Sequence, residues 1–301
     1  MITGFNIDLF TLSEYGQIHL GKVVYFDYNE ITIEIKDVVM SVFFVISPAK
    51  NLDETTPVPV NEHTDIAFPE DTRLLMHELQ QLSPQDIADL MGVSDKIARL
   101  NVERNGLFHV PITEDNGGKQ ALFLFKGDVY EGMDAYHLND ESLQYLQTHL
   151  GILSGLYGLL RPFDLMQPYR LEMGKALKNP RGDNLYQFWG SKITEGINQR
   201  LQAASAEVLV NLASQEYFKS VQSRDINTPI ITPVFQDEKN GVYKVISFYA
   251  KRARGLMVKY AAEQQITDVE QLKQFDGEGY AYSESDSSSN TWVFKRAEGQ
   301  K

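Results

Sequence analysis

The densest chemistry in this chain lies in LSGLYGLLRPFDLMQPYRLEMG, residues 153–174. Arg161, Asp164, Gln167, Tyr169, Arg170 and Glu172 crowd a stretch that Pro162 and Pro168 stiffen. Gly155 and Gly158, just before it, let the backbone approach another group closely. Two guanidinium groups, two carboxylates and a phenol in a rigid loop suit the gripping of an anion or a base. Asp164 or Glu172 would then serve as general acid or base while the arginines hold phosphate. The plainer alternative is a structural corner held by an Arg–carboxylate pair.

Two further groups carry charge. In ISFYAKRARGLM, residues 246–257, a helix begins with Lys251, Arg252 and Arg254, and Gly255 follows. Cations at a helix start oppose its dipole, which makes sense where they serve a ligand, and Tyr249 could stack on a base. A basic face that offsets acidity elsewhere is the alternative. Lys50, in Ser-Pro-Ala-Lys after an apolar strand, is read as a phosphate contact. A Ser47–Lys50 nucleophilic pair is disfavoured, because the pair follows a strand instead of opening a helix. LSPQDIADLMGVSDKIARLN, residues 82–101, has the shape of a helix-hairpin-helix, with its turn at Gly92, Val93 and Ser94. Such a turn and the following helix start present backbone amides to a phosphate, and Lys96 and Arg99 would add charge. Ser94 replaces the usual second glycine, and Asp86, Asp89 and Asp95 lie close by. An ordinary αα-hairpin is the alternative.

Charge is distributed unevenly along the 301 residues, whose net charge is -13. Residues 1–40 carry net -4, residues 41–150 net -11 and residues 151–301 net +2. Basic stretches at 157–181 and 239–260 therefore stand in an acidic chain, which favours a phosphate-binding surface. There is no cysteine. Disulfides, thiolate metal sites and Cys nucleophiles are thus excluded, and peroxide cannot be sensed through a thiol. The six histidines show no metal-ligand spacing, and neither GxGxxG nor GxxxxGK[ST] occurs. No metal and no cofactor are expected. With no export signal and no run long enough to span a bilayer, the expected setting is the cytoplasm, away from membrane.

These groups need elements to hold them. VFFVI, residues 42–46, reads as a buried strand, and 121–125 and 207–213 as two more. Helices are expected over 70–81, from Pro84 with Ser83 as N-cap, over 95–104 and over 140–149, with one amphipathic helix over 184–203. Residues 152–160 suggest a strand or tight turn. Asn240-Gly241 predicts a hairpin between 230–236 and 242–249, followed by a basic helix over 250–264. A short helix over 268–274 and a last hairpin, 279–283 with 291–296, close the chain. The fold class expected is α+β: a single mixed α/β domain over 40–301. Residues 1–39 look foreign to it. They are read as an upstream start preceding a true initiator at Met40, or else as a short β-rich extension.

ISPAKNLD (46–53), FKGDVYEG (125–132), residues 153–174, NLYQFWG (184–190), NLASQEYFKSV (211–221), PVFQDEKNG (233–241), ISFYAKRARGLM (246–257) and DSSSNTWVFKR (286–296) resemble the bacterial YaaA family of peroxide-stress proteins. The resemblance runs from about residue 42 to 296. It implies a cytosolic protein that limits iron-driven damage to DNA. It also implies a fold of unusual topology with a helix-hairpin-helix beside a basic cleft, and DNA as partner, with no dedicated protein partner. The hairpin falls on residues 84–104, with Gly92, Ser94, Lys96 and Arg99. The cleft would draw on Lys50, Arg161, Arg170, Lys251, Arg252 and Arg254. An enzyme acting on a nucleotide or damaged base in the 153–174/246–257 cleft is the alternative.

Overall fold

A computed structural model describes residues 41–300, together with two short backbone strands further upstream. Those two, Lys22–Tyr25 and Glu34–Asp37, pair antiparallel. Met1–Met40 and Ser41–Lys301 separate into two compact units. The upstream-start expectation concerns residues outside the described ones.

The first strand of the larger unit, β1 (Ser41–Ile46), is buried at every position. SVFFVI has no polar/apolar alternation, as expected of a strand covered on both faces. It pairs in parallel with β2 (Leu150–Ser154) on one side and β4 (Ala206–Leu212) on the other. β2 turns back into β3 (Gly158–Leu160), which closes that edge antiparallel. Beyond β4 follow β5 (Ile230–Lys239) and β8 (Thr291–Arg296), both parallel. β6 (Val242–Lys244) and β7 (Ala281–Ser283) add antiparallel edges to β5 and β8. The sheet order is β7-β8-β5-β4-β1-β2-β3. The chain thus leaves β1 toward β2 and later returns to its other side as β4, so the strand order reverses at β1.

β5 changes partner along its length. It pairs with β4 through Ile230 and Ile231, then with β8 from Thr232 onward. Pro233, which has no N–H to give, comes two residues after Ile231, the last residue paired with β4.

Helices α1 (Pro69–Gln80), α2 (Pro84–Met91), α3 (Asp95–Gly106), α4 (Asp128–Met133) and α5 (Asp140–His149) lie between β1 and β2. Helices α6 (Leu185–Trp189) and α7 (Lys192–Ala203) precede β4. The expected single helix over 184–203 is broken at Gly190, whose φ of 52° with ψ of -120° is outside helical space. The expected strand over 121–125 is instead a helical turn, Ala121–Leu124, leading into the two-residue strand Phe125–Lys126. All of Ala121–Phe125 is buried, and a short run apolar on all sides does not distinguish the two states.

The basic helix, α8 (Ser247–Glu263), starts three residues before its expected position. It crosses α4 at two glycines. A Cβ on Gly255 would lie 1.8 Å from the Val129 carbonyl oxygen, and one on Gly132 would lie 2.2 Å from that of Arg252. Backbone therefore packs on backbone, and no side chain fits at either position. The Asn240-Gly241 turn forms as expected, with φ of 55° and 75°.

Candidate functional site

Three parallel strands end at one place. β1 runs into Ser47-Pro48-Ala49-Lys50, β2 into Ser154-Gly155, and β4 into Ala213-Ser214. Ligands of open α/β sheets bind beyond the carboxyl ends of strands, where the strand order reverses. Here that crevice is walled by Pro48, Ala49, Lys50, Tyr169, Arg170, Leu171, Glu172 and Tyr217.

The segment carrying Tyr169, Arg170 and Glu172 is fixed from below. Gly155 lets it come close: a Cβ there would lie 2.2 Å from the Leu171 carbonyl oxygen. The Ser154 hydroxyl pairs with the Tyr169 hydroxyl at 2.6 Å and accepts the Tyr157 N–H at 2.9 Å. Tyr157 donates its own O–H to the Gln167 carbonyl and accepts the Gln167 N–H, both at 3.0 Å. On the far side the Gly174 N–H reaches Glu216 Oε1 at 2.9 Å. Burial pushes the Tyr130, Tyr157, Tyr169 and Tyr217 hydroxyls above the ordinary phenol value. All four remain neutral, so they hydrogen-bond as O–H groups.

Glu172 is the buried centre. Its side chain is 5% exposed, and Oε1 receives both Lys50 Nζ at 3.3 Å and Arg170 Nη2 at 3.2 Å. Its Oε2 has no hydrogen-bond partner among the described residues, and neither has Arg170 Nε. A buried carboxylate oxygen without a donor bears an uncompensated desolvation cost. Two cations share one oxygen while the other is left open.

Asp164 is arranged differently. Arg161 gives it a backbone N–H and Nε, both at 2.8 Å, and Thr64 adds its hydroxyl at 2.6 Å. Arg161 also spans to the Asp65 carbonyl at 2.7 Å. Burial pushes the Asp164 carboxyl up, and Arg161 and Thr64 pull against that. Every donor here is spent on holding the corner together. Ser47 turns to Ser214, accepting its N–H at 2.8 Å, while Lys50 turns to Glu172. The Ser47–Lys50 pair is not assembled.

The hairpin has the expected outline. Ser83 and Asp86 form a reciprocal capping box, and Gly92 ends α2 with φ of 66°. The Gly92 and Val93 N–H groups both return to the Ala88 carbonyl, at 2.8 and 3.1 Å. Ser94 caps α3 by backbone position, without a side-chain bond. Lys96 is exposed, while Arg99 donates to Asp95 at 2.8 Å. Lys175 reaches across to the Met91 carbonyl at 3.0 Å, and its own N–H returns to the Glu172 carbonyl at 3.1 Å. The end of α2 is thereby linked to the Glu172 segment. On α8, Lys251 is exposed, Arg252 pairs with Glu278 at 2.7 Å, and burial pulls the Arg254 guanidinium below its ordinary value. The structure thus brings Lys50 and Arg170 onto one carboxylate, and gives Arg161 and Arg252 acidic partners of their own.

A larger hollow of about 260 Å³ lies between α3 and the 116–119 turn, with Arg104, Lys119 and Gln167 on its walls. Most of its polar groups are engaged, although Arg104 Nε has no hydrogen-bond partner among the described residues. Lys119 donates to the Asp53 and Thr56 carbonyls, Gln167 is bonded to His109 and Asn116, and Arg104 is paired with Glu54. Size and one open guanidinium N–H favour it, but the Glu172 crevice is where a buried carboxylate oxygen lacks a donor.

Tyr217 and Ser154 drew no notice in the sequence. Their roles rest on contacts across many residues, and no local spacing signals them. Among the described residues there is no cluster of three or more potential metal ligands, and no helix is long and apolar enough to cross a membrane.

A mixed sheet with a cation-lined carboxylate at its strand-order reversal defines a mixed α/β protein with a built polar site. The chain belongs to the peroxide stress protein YaaA family, whose model matches residues 42–286. It is 60% identical over 256 residues to a UPF0246 protein of Neisseria gonorrhoeae, covering 85% of this chain and 98% of that one. It is 58% identical over 254 residues to a UPF0246 protein of Psychromonas ingrahamii, covering 84% and 98%. Against a UPF0246 protein of Aliivibrio fischeri the figures are 55% over 257 residues, with 85% and 99% covered. Membership supports a role in peroxide stress.

Proposed function

We propose that this chain acts in peroxide stress by binding DNA in the cytosol and limiting iron-driven damage to it. Ser94, Lys96 and Arg99 contact phosphates at the turn that Gly92 shapes, and Lys50, Arg161, Arg170, Lys251, Arg252 and Arg254 supply the basic cleft. The observation that carries this is the Lys175–Met91 tie, which links the hairpin to the segment bearing Arg170. The hairpin and cleft contacts go mainly to phosphates, so affinity falls steeply with salt and depends little on sequence. The test is a short duplex titrated at low and high salt. A loss of about tenfold or more between 50 and 200 mM is expected, with a further several-fold loss in Lys96→Glu. Affinity that ignores salt, or that survives Lys50→Glu and Lys96→Glu together, rules it out.

A second reading, an enzyme acting on a nucleotide or damaged base, is favoured by the open Oε2 of Glu172. Glu172, and not the fully bonded Asp164, is then the acid or base. Glu172→Gln should abolish peroxide protection while duplex affinity stays intact. Protection that is unchanged in Glu172→Gln rejects the enzyme.

A further inference from the structure

We infer that the Glu172 crevice is a binding site for a nucleoside monophosphate unit, with the base edge donating to Glu172 Oε2 and the phosphate drawing Lys50. This rests on the reading that nucleic acid or its components are what the protein meets. It goes further in assigning the crevice a small ligand of defined chemistry, separate from the hairpin.

The requirement for two unlike groups comes from the charges. Lys50 and Arg170 would attract a bare anion, but Glu172 lies between them and repels it. A ligand that also brings an N–H to Oε2 removes that conflict and supplies the donor the buried oxygen lacks. Nucleobases carry such donors on an amide or exocyclic amine, and a phosphate carries the charge. Tyr169 and Tyr217 line the crevice wall. Both phenols are held neutral by burial, so neither adds a second repelling charge.

Access depends on Lys50. With its ammonium over Glu172, the crevice has a volume of about 10 Å³, room for roughly one water. Yet Lys50 is the mobile member of the group. Its side chain is 65% exposed and holds Glu172 by one contact at 3.3 Å, whereas Arg170 is only 18% exposed. An exposed lysine pair of that kind is weak and screened. A phosphate at the rim therefore exchanges Lys50 away from Glu172 cheaply, opening the crevice and ungating Oε2 in one movement.

The test is calorimetric titration of the full chain with the four deoxynucleoside 5′-monophosphates, deoxyribose 5-phosphate and inorganic phosphate. Binding of at least one nucleotide should be tenfold or more tighter than binding of either base-free probe. Glu172→Gln and Lys50→Met should each weaken it about tenfold. Lys50 is on the surface, so its variant serves even if Glu172→Gln unfolds. Equal affinity for nucleotide and phosphate, or nucleotide affinity unchanged in Lys50→Met, overturns the site. Matched and singly mismatched duplexes identify the source. Preference for the mismatch in wild type, lost in Lys50→Met, means the unit is extruded from DNA, and no preference beside tight free-nucleotide binding means a soluble nucleotide. Absence of both overturns the proposal. Lys96→Glu should weaken duplex binding and leave free-nucleotide affinity unchanged, so the hairpin and the crevice can fail separately.

Discussion

Two buried Arg–carboxylate clusters lie at different strands of this sheet, and they are built to different standards. Between β5 and β8, Arg296 gives Asp237 Oδ1 two bonds at 2.7 Å, and Tyr280 gives Oδ2 its hydroxyl at 2.9 Å. The guanidinium lies 4.5 Å from the Tyr280 ring and 4.9 Å from the Tyr249 ring. Both carboxylate oxygens have partners, and Arg296 is 4% exposed. At the reversal of strand order, Glu172 is buried as deeply, but one of its oxygens and Arg170 Nε are left without partners. A closed cluster holds a fold. An open one at equal depth carries a cost that a bound water or a ligand removes. Asp164 falls with the closed kind.

Isosteric amides test this contrast. Asp237→Asn leaves the buried Arg296 with only the longer carboxylate contact to Glu278 at 3.5 Å, and should cost about 3 kcal/mol in urea unfolding. Asp164→Asn loses charge-assisted bonds to a half-exposed arginine, and about 2 kcal/mol is expected. Glu172→Gln should cost about 1 kcal/mol, since Gln keeps an acceptor for Arg170 and Lys50 already meets water. It should nevertheless weaken nucleotide binding about tenfold, whereas Asp237→Asn in its folded fraction retains it. If Glu172→Gln proves the most destabilising of the three, the contrast is broken.

The smallest effect is one of pH. Asp53 accepts the Thr56 and Thr55 N–H groups and the Thr56 hydroxyl, and these bonds hold its carboxyl down at about 2. The folded chain thus binds fewer protons there than the unfolded one, whose aspartate titrates near 3.8. Stability from this group is present above about pH 4 and is lost as pH falls toward 2. Asp53→Asn should flatten the acid limb of a stability–pH curve. An unchanged limb would mean the Thr bonds are not maintained in solution.

Much of this was legible in the sequence where the cause is local. The all-apolar β1, the Ser83-Pro84 start of α2, the turn at Gly92 and the Asn240-Gly241 hairpin each depend on a few neighbouring residues. The errors arose where local signals compete. Ala121–Phe125 is apolar enough for either state, and the amphipathic pattern over 184–203 carries across a glycine whose backbone turns out of the helix. In the loop 153–174 the residue types told of a site, but Asp164 and Glu172 could not be ranked.

The sequence by itself determined most of the elements, the absence of thiol chemistry, the basic stretches and the family. Tertiary structure alone decided that Lys50, Glu172 and Tyr217 meet beyond the ends of β1 and β4, while Arg161 and Asp164 close on each other. The reason is physical. Hydrogen-bond satisfaction is a property of three-dimensional neighbourhoods, and Glu172 differs from Asp164 only in which donors the fold brings within reach.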